Sequence, residues 1–378
     1  MRTGVVPRSF SEAAAALAGA AAERRAVRII GGGTKLGWGG PVDAEALVLR
    51  TEQLSRVVVN DDNTATLGAG TPLVRAQAHV GYSGRMVAID PQLGLGRRPE
   101  ATVGGVIATA DSGPLAHRYG LPRHQIVGLT VALSNGAVVR SGLRVDAAQD
   151  GYDLMRLFCG SFGTLGLLLA VDVRLHPLPQ SSATALGSSA DASVIREATQ
   201  LIAREHQELQ ALDVAWRDGN GGLLAQTAGP DAEQAATAVA ETMIAAGLRN
   251  TDIRTDDSSL WARQRAGQRS AEHAVVRVHA RRSELDLVLS VATELNASVV
   301  GRAALGISYF TLEVDQVGRL RAALPAEAGA VVLDLPEGAA ADVERWALPD
   351  GPTLTLMRDL KAAFDPAGVC NPGLFVGG

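Results

Sequence analysis

Cysteine, aromatic residues and long apolar runs are all scarce in this sequence. It has two cysteines, far apart at Cys159 and Cys370, and aromatic residues make up 4% of its 378 residues. Two isolated cysteines match no metal-binding spacing and are too few for an iron–sulfur cluster, so we expect two buried, reduced thiols. No stretch reaches the roughly 18 apolar residues that cross a membrane, so we expect no membrane span.

An excess of positive charge is also absent. The formal net charge is −5 and the isoelectric point is about 5.8. Non-specific binding to nucleic acid requires a basic surface, so we expect no nucleic-acid partner. The opening segment MRTGVVPRSF lacks the long apolar core of a secretory signal. These features predict a cytoplasmic protein that reaches a membrane surface only through a partner complex.

The composition is that of an ordinary globular protein, with 47% hydrophobic and 20% charged residues, and the length suggests two domains. The Ser- and Pro-rich stretch Pro177–Asp191 is the strongest boundary signal. Beyond it, predicted strands and helices alternate, which indicates an α+β layer. We therefore predict a first domain over residues 1–178, a smaller α+β domain over 190–345, and a separate segment over 346–378.

A glycine-rich stretch, GGGTKLGWGG at Gly31–Gly40, directly follows a predicted strand at Ala26–Ile30. A dinucleotide-binding fold requires glycine where Leu36 stands, and a Walker loop requires glycine where Thr34 precedes Lys35, so both interpretations fail. A strand–loop–strand remains, in which successive backbone N–H groups form a concave nest for a pyrophosphate. The alternative is a glycine-rich turn that binds nothing.

A second stretch of small residues, TVGGVIATADSG at Thr102–Gly113, favours a ligand over a simple turn. We interpret it as a second loop, whose small residues let a flat, phosphate-linked ligand lie against the backbone. The hydroxyls of Thr102, Thr109 and Ser112 can donate hydrogen bonds to phosphate or to the edge of a ring. Two such stretches in one domain are difficult to explain as turns alone.

These stretches belong to a longer pattern. GGGTKLGWGG is followed in order by ATVGGVIATADSG, HQIVGLTVALSNG, GYDLMRLFCGSFGTLG and LKAAFDPAGVCNPG. Together they resemble the PCMH-type, or vanillyl-alcohol oxidase, superfamily, and their order and spacing resemble most closely the FAD-binding subunits of glycolate oxidase. The resemblance covers residues 28–177 and 357–374. It implies a two-subdomain FAD-binding domain, a smaller cap domain with the substrate site, and a terminal segment that returns to the FAD domain.

The resemblance also implies which positions contact the cofactor. The pyrophosphate would be bound by Gly31, Gly32, Gly33, Thr34, Lys35 and Leu36, and the flavin would lie along Thr102, Gly104, Gly105, Thr109, Ser112 and Gly113. The adenosine end would contact Ile126, Val127 and Leu167. Asn371 would close the site near the isoalloxazine, and Pro91 would be a further contact. Covalent members often carry histidine where Thr34 stands, so non-covalent FAD is implied. No metal is implied, because Asp218–Gly222 only faintly matches a metal-binding motif of related enzymes and is interpreted as a hairpin turn.

Three residues are candidates for catalysis. Arg277 and His279 alternate with valines on a predicted strand, so both project to one face. If that face lines the flavin, Arg277 can clamp a substrate carboxylate and His279 can take the hydroxyl proton; the alternative is a solvated strand face. Tyr152 is a candidate proton donor, with packing in a helix core as the alternative. Members of the family that this sequence resembles carry a lysine just before the motif Gly151-Tyr152-Asp153, and Ala147–Asp150 contains no lysine.

Three functions remain open at this stage. The first is an FAD-dependent oxidoreductase that takes a hydride from a small 2-hydroxy acid such as glycolate or D-lactate, in a complex with a second flavoprotein and an iron–sulfur subunit. The second is an accessory subunit whose FAD relays electrons or is structural. The third is a regulator that binds nucleotide but no flavin. The subunit composition of the native complex separates the first two.

Overall fold

The computed structural model describes residues 4–41, 45–95, 101–142, 154–339, 343–348 and 351–375. The predictions for Tyr152 and for Ala147–Asp150 lie outside these residues. Helices and strands are mixed along the whole chain, which confirms the predicted α+β class. Within the described residues, no helix is both long enough and apolar enough to cross a membrane.

The first half of the chain forms a parallel strand pair and an antiparallel sheet. Its elements are α1 (Phe10–Ala22), β1 (Val27–Ile30), β2 (Leu47–Arg50), β3 (Val57–Asp61), β4 (Thr64–Gly68), α2 (Leu73–Gly81), β5 (Arg85–Val87), α3 (Val103–Thr109), α4 (Ala116–Tyr119), α5 (Pro122–Gln125), β6 (Ile126–Ala132), β7 (Val138–Gly142), α6 (Leu154–Phe158) and β8 (Leu167–Pro177). β1 pairs with β2 in parallel. The other strands form what we call the small sheet, in the order β3-β4-β8-β6-β7 with β5 also on β8.

Local sequence signals explain several of these elements. Ser9 caps α1, since its Oγ accepts a hydrogen bond from Glu12 N at 3.1 Å. The sequence Ser134-Asn135-Gly136, typical of a hairpin turn, joins β6 to β7, and Gly136 there has a φ of +84°. The turn predicted at Asp218–Gly222 is also a hairpin, with φ of +53° at Asp218. The prediction at Asp218–Gly222 is confirmed, because turn chemistry acts over a few residues.

The second half of the chain builds one antiparallel sheet with helices against it. Its elements are β9 (Ser182–Ser189), α7 (Ala192–Glu205), β10 (Ala211–Arg217), β11 (Asn220–Ala228), α8 (Ala232–Ala245), β12 (Arg249–Arg254), α9 (Ser258–Ala266), β13 (Ala274–His279), α10 (Leu285–Glu294), β14 (Ser298–Arg302), β15 (Ile307–Leu312), α11 (Val317–Ala323), β16 (Gly329–Asp334) and α12 (Pro352–Phe364). The strand order in this large sheet is β12-β9-β11-β10-β14-β15-β13-β16.

The large sheet has two different faces because side chains alternate along each strand. Val276 and Phe310 point to one face, where they share a hydrophobic core with residues of α7, α8 and α10. Val275 and Tyr309 point to the other, where they cluster with Trp38 and Phe162 of the first half of the chain. The face opposite the helices is therefore the one that meets the glycine-rich half.

Two features differ from the sequence predictions. The stretch Pro177–Asp191, interpreted as a boundary, contains β9, which pairs with two neighbours inside the large sheet. Its run of Ser, Ala and Gly has low strand propensity, and cross-strand pairing overrides that preference. Strands β12, β14 and β16 and helices α9 and α11 were not predicted either. The division into three segments stays a prediction.

Candidate functional site

A cleft opens between β1, α3, the turn after α6 and the segment at residues 371–374. Residues that the sequence could not single out, among them Arg28 and Phe162, line part of it. The predicted cofactor residues that line it are Gly31, Lys35, Leu36, Gly104, Gly105, Thr109, Leu167 and Asn371. The structure therefore brings residues from both small-residue stretches and from the terminal segment to one place.

The loop after β1 has the features of an anion nest. Among the described residues, no backbone N–H from Gly31 to Lys35 donates to a backbone carbonyl. Gly33 has a φ of +72°, a conformation that glycine adopts without the strain of a Cβ. A Cβ at Gly31 would overlap Thr102 Oγ1, so the loop packs directly on the start of α3. Successive free N–H groups of this kind can hold a pyrophosphate.

The stretch after Thr102 is a helix over Val103–Thr109, so our prediction of a second loop was wrong there. Thr102 caps α3, and its Oγ1 accepts a hydrogen bond from Gly105 N at 3.3 Å. Gly104 N donates to the Ala69 carbonyl at 2.8 Å. Because these first-turn N–H groups already have acceptors within the protein, α3 does not offer them to an anion.

The contribution of α3 to the cleft is a flat surface. A Cβ at Gly104 would lie 2.7 Å from Ala69 Cβ, so only glycine allows this close approach. The Thr109 hydroxyl donates to the Gly105 carbonyl at 2.8 Å, so its proton is used within the helix. Gly104, Gly105 and Ala108 are left as a wall without polar side chains.

Lys35 connects the loop after β1 to the segment after α3. Its Nζ lies 3.2 Å from Asp111 Oδ2, and the two side chains are 7% and 3% exposed. The same Nζ lies 5.4 Å from the centroid of the Trp38 ring. Separating a buried ion pair is costly, so this contact fixes the loop against α3. An ammonium group has three N–H donors, so Lys35 can still donate to an anion.

Asn371 closes the cleft from the terminal segment. Its Oδ1 accepts from Ile29 N at 2.8 Å, and its Nδ2 donates to the Phe162 carbonyl at 2.8 Å. Both ends of the amide therefore have protein partners. Asn371 links β1 to the turn after α6, and its amide still has a second N–H donor and a second acceptor lone pair for a ligand.

Lys361 of α12 holds this terminal segment in place, and sequence reasoning missed it. Its Nζ donates to the Thr164 carbonyl at 2.8 Å, to the Cys370 carbonyl at 3.0 Å and to Asp365 Oδ2 at 2.5 Å. Burial opposes ionisation of Asp365, but the bonds from Lys361 and the Cys370 amide keep its pKa below the usual value. A lysine spaced four residues from an aspartate is too common on helix surfaces to have signalled this role.

The remaining predicted cofactor residues do not line the cleft. Ile126 packs in the core of the small sheet, and a Cβ at Gly113 would overlap the Asp90 carbonyl. The full set outside the lining is Gly32, Gly33, Thr34, Pro91, Thr102, Ser112, Gly113, Ile126 and Val127. Their contacts with a cofactor stay predictions.

The large sheet brings polar side chains to the junction with the first half of the chain. Arg277 lies opposite Tyr309 in the pairing of β13 with β15. Arg277 Nε is buried and, in the described structure, has no hydrogen-bond partner. The Tyr309 hydroxyl is buried too and forms no well-aligned hydrogen bond, although Ser112 lies close by. Burial raises the pKa of Tyr309, against the opposing effect of Arg302.

His279 lies on the same strand face as Arg277. It is exposed at the end of β13. Even so, desolvation, followed by the nearby guanidinium groups of Arg277 and Arg123, lowers its pKa to about 4. Its imidazole is therefore neutral at pH 7.

Arg302 is a candidate that sequence reasoning missed. It is 0% exposed, its Nη2 lies 3.8 Å from Asp213 Oδ2, and its guanidinium lies 5.3 Å from the centroid of the Tyr309 ring. With its amide oxygen turned toward Arg302, Gln268 accepts from the guanidinium and donates to the Ser112 carbonyl at 3.1 Å. The large sheet is thus connected to the segment after α3 by a buried polar network.

Asp90 joins this network from the first half of the chain. Its Oδ1 accepts from Leu115 N at 3.0 Å, and its Oδ2 lies 3.6 Å from Arg265 Nη1. Burial raises the pKa of Asp90 to about 7, against the opposing effects of Arg265 and Arg302. Its charged partners come from the large sheet and α9, so no local pattern pointed to it.

Comparison with known families agrees with this geometry. The family model of an FAD binding domain matches residues 3–142. The family model of the C-terminal domain of FAD linked oxidases matches residues 349–374. The chain therefore carries an FAD binding domain and a C-terminal segment similar to those of the PCMH-type FAD oxidoreductases. It is a flavoprotein that binds FAD, and the terminal segment that closes the cleft lies within the match to the C-terminal domain of FAD linked oxidases.

The curated relatives match this chain to different extents. D-lactate dehydrogenase [cytochrome] of Arabidopsis thaliana is 39% identical over 30% of this chain, but only 21% of its own length is covered. Glycolate oxidase subunit GlcE of Escherichia coli is 34% identical over 41% of this chain and 43% of its own length. An uncharacterized FAD-linked oxidoreductase of Mycobacterium tuberculosis is 26% identical over 94% of this chain and 87% of its own length.

Solved structures match over nearly the whole chain. An alkyldihydroxyacetonephosphate synthase has a TM-score of 0.70 at 16% identity, over 97% of this chain and 76% of its own. A chitooligosaccharide oxidase has a TM-score of 0.70 at 14% identity, over 98% of this chain and 90% of its own. At such low identities the likeness shows the fold alone.

Proposed function

We propose that this chain is a dehydrogenase that oxidises a small 2-hydroxy acid, such as glycolate or D-lactate, at its bound FAD. One observation carries the proposal. The face of the large sheet opposite the helices places Arg277, Tyr309 and Arg302 against Asp111 and Ser112, directly after the helix that walls the cleft. Cationic and hydroxyl groups are the partners that a carboxylate and an alcohol require.

We propose that residues of the cleft and of the loop after β1 hold FAD. The free N–H groups of Gly31–Lys35 would hold the pyrophosphate, and the wall at Gly104 and Gly105 would lie against the cofactor. Thr34, which has no nucleophilic ring nitrogen, would leave the flavin non-covalently bound. The adenosine end would contact Leu167, with Ile126 and Val127 acting through backbone atoms. Bound FAD supplies the acceptor for the hydride that leaves the substrate.

The residues of the large sheet would bind and orient the substrate. Arg277 presents a planar guanidinium, whose fork geometry matches the two oxygens of a carboxylate and whose buried Nε has no hydrogen-bond partner in the described structure. Arg302 would act through Tyr309, keeping the hydroxyl of that residue in position. His279 would take the hydroxyl proton, because its lowered pKa leaves it neutral at pH 7.

The first test is a substrate screen on the native complex and on the isolated chain. The purified protein should be yellow and should release FAD on denaturation by acid or heat. Glycolate, D-lactate and longer 2-hydroxy acids should be assayed with an artificial dye as electron acceptor. Flavin that stays on the denatured chain would refute the non-covalent part only.

The second test is the substitution Arg277→Lys. A lysine keeps the charge but loses the two-point geometry, so KM should rise, with a loss of roughly 1.5–3 kcal/mol in kcat/KM. FAD content should not change. Arg281→Lys is the matched control, because Arg281 is exposed and pairs with Glu327 on the surface. If Arg277→Lys matches the parent on every acid while the parent is active, the carboxylate binds elsewhere.

The second candidate is an accessory subunit whose FAD relays electrons or is structural. The observation that favours it is the similarity to glycolate oxidase subunit GlcE of Escherichia coli, a protein named as one subunit of an oxidase. In either case we propose a complex with a second flavoprotein and an iron–sulfur subunit. An isolated chain that holds FAD yet is inert on every acid, within a complex that is active, would favour this candidate and remove the catalytic roles proposed above.

A further inference from the structure

Asp334, at the end of the last strand of the large sheet, reaches the glycine-rich loop of the first half of the chain. Its Oδ1 accepts from Trp38 Nε1 at 2.9 Å and from Arg269 Nη2 at 3.0 Å, while its Oδ2 accepts from Arg269 Nε at 2.7 Å. Trp38, Asp334 and Arg269 are 1%, 7% and 8% exposed. A charged group buried this well with several partners holds them in a defined geometry.

Arg269 makes two direct contacts with the same loop. Its Nη2 donates to the Thr34 carbonyl at 3.0 Å, and its guanidinium lies 4.9 Å from the centroid of the Trp38 ring. Asp334 in turn fixes the orientation of Arg269 through two hydrogen bonds. The loop is therefore held at both Thr34 and Trp38 by residues of the second half of the chain.

Holding the Thr34 carbonyl has a direct effect on the nest. A peptide group is planar and trans, so a carbonyl that points at Arg269 makes the next N–H, that of Lys35, point the opposite way. That N–H belongs to the set without a backbone acceptor. The stretch just before it, Gly31–Gly33, has few intrinsic conformational restraints, and an unrestrained loop must lose entropy when a ligand orders it.

We propose that Arg269 and Asp334 are positioning residues of the FAD site, which orient the pyrophosphate loop before the cofactor arrives. FAD binding by the first half of the chain then depends on the large sheet. The two residues act through Thr34 and Trp38 and need no contact with the cofactor. The same contacts explain why Trp38 is buried at the junction with the large sheet.

The test is FAD titration of the full-length apoprotein by quenching of flavin fluorescence. Asp334→Asn keeps the shape of the side chain but removes the charge that orients Arg269, and Arg269→Gln removes the donor to Thr34. Each should weaken FAD affinity about tenfold, the effect expected when one charged hydrogen bond is lost. Asp286→Asn is the matched control, since it breaks an Arg–Asp pair with Arg196 elsewhere in the second half of the chain; its FAD affinity should not change.

A second measurement separates positioning from simple stabilisation. Thermal unfolding of each apoprotein should be recorded beside the titration, because a purely structural role would lower the unfolding temperature and leave the dissociation constant unchanged. That outcome, or FAD affinity within twofold of the parent in both variants, would overturn the proposal. If neither variant folds, Trp38→Phe, which removes only the indole N–H bonded to Asp334, decides the question by the same titration.

Discussion

Replacing Gly31 with alanine is predicted to damage the FAD site through a single atom of Thr102. The new Cβ would overlap Thr102 Oγ1, but would lie 3.4 Å from Thr102 Cβ and 3.6 Å from Cγ2, which are ordinary contacts. To make room, the threonine hydroxyl must rotate away and give up its hydrogen bond from Gly105 N. Loss of such a helix cap costs about 1 kcal/mol, with a range of roughly 0.5–2 kcal/mol.

This prediction is best measured as a double-mutant cycle in the apoprotein. A loss of about 1 kcal/mol lowers the unfolding temperature of a domain of this size by about 2–4 °C. Gly31→Ala and Thr102→Ala should each show such a loss. The double variant should be no less stable than Thr102→Ala alone, because the clash is gone. FAD affinity should fall in Gly31→Ala, because the new methyl group lies in the loop that we propose holds the pyrophosphate.

The control for the cycle is Gly37→Ala in the same loop. A Cβ at Gly37 has no neighbour within 4 Å, so this variant should leave both unfolding and FAD affinity unchanged. If the effects of Gly31→Ala and Thr102→Ala simply add, the contact between the loop and the start of α3 does not explain the requirement for glycine. Equal losses in Gly37→Ala would point instead to general loop flexibility.

Two further predictions concern buried charges. Lys361→Met leaves Asp365 buried without its partner, so it should lower the free energy of unfolding in urea by about 3–5 kcal/mol. Because the pKa of Asp365 is held below 3.8, the stabilisation from this pair should persist at neutral pH. It should disappear as the pH falls through that lowered pKa. Burial raises the pKa of Asp90 from 3.8 to about 7. Between pH 3.8 and pH 7 the folded state therefore keeps a proton on Asp90 that the unfolded state loses, so the free energy of unfolding should fall as the pH rises over this range. Asp90→Asn should remove this slope from a series of thermal unfolding curves, and an unchanged slope would contradict the burial of an ionisable group there.

The strand–loop–strand after β1 could be predicted from the sequence because its requirements are local, while its role as an anion nest stays a prediction. The stretch has glycine at three successive positions, but it has Leu36 where a dinucleotide-binding fold requires glycine, and no helix can follow it. Only a strand–loop–strand agrees with these features. Helix α3 could not be predicted in the same way. Its two glycines and β-branched Val103 and Ile107 lower helix propensity, and packing of Val103, Val106 and Ile107 in the core of the small sheet overrides that preference.

The polar network behind the cleft depends on topology instead. Asp213 and Arg302 face each other only because β10 pairs with β14, which no sequence spacing reveals. Asp90 meets Arg265 only when the two halves of the chain pack together. The strand face of Arg277 could be predicted because side-chain alternation along a strand is local. The position of Tyr309 beside it depends on the pairing of β13 with β15, which the sequence does not reveal.

Strand β1 takes part of its pairing from a distant part of the chain, and this has a consequence for biosynthesis. Val27 N donates to the Val369 carbonyl at 2.7 Å, and Asn371 N donates to the Val27 carbonyl at 2.9 Å. Asn371 also accepts from Ile29, which lies 342 positions away. On the ribosome, β1 emerges long before these partners, so the nascent chain carries an open strand edge and an incomplete cleft during most of its synthesis. We therefore expect the complete cleft to form only after residue 371 has been synthesised.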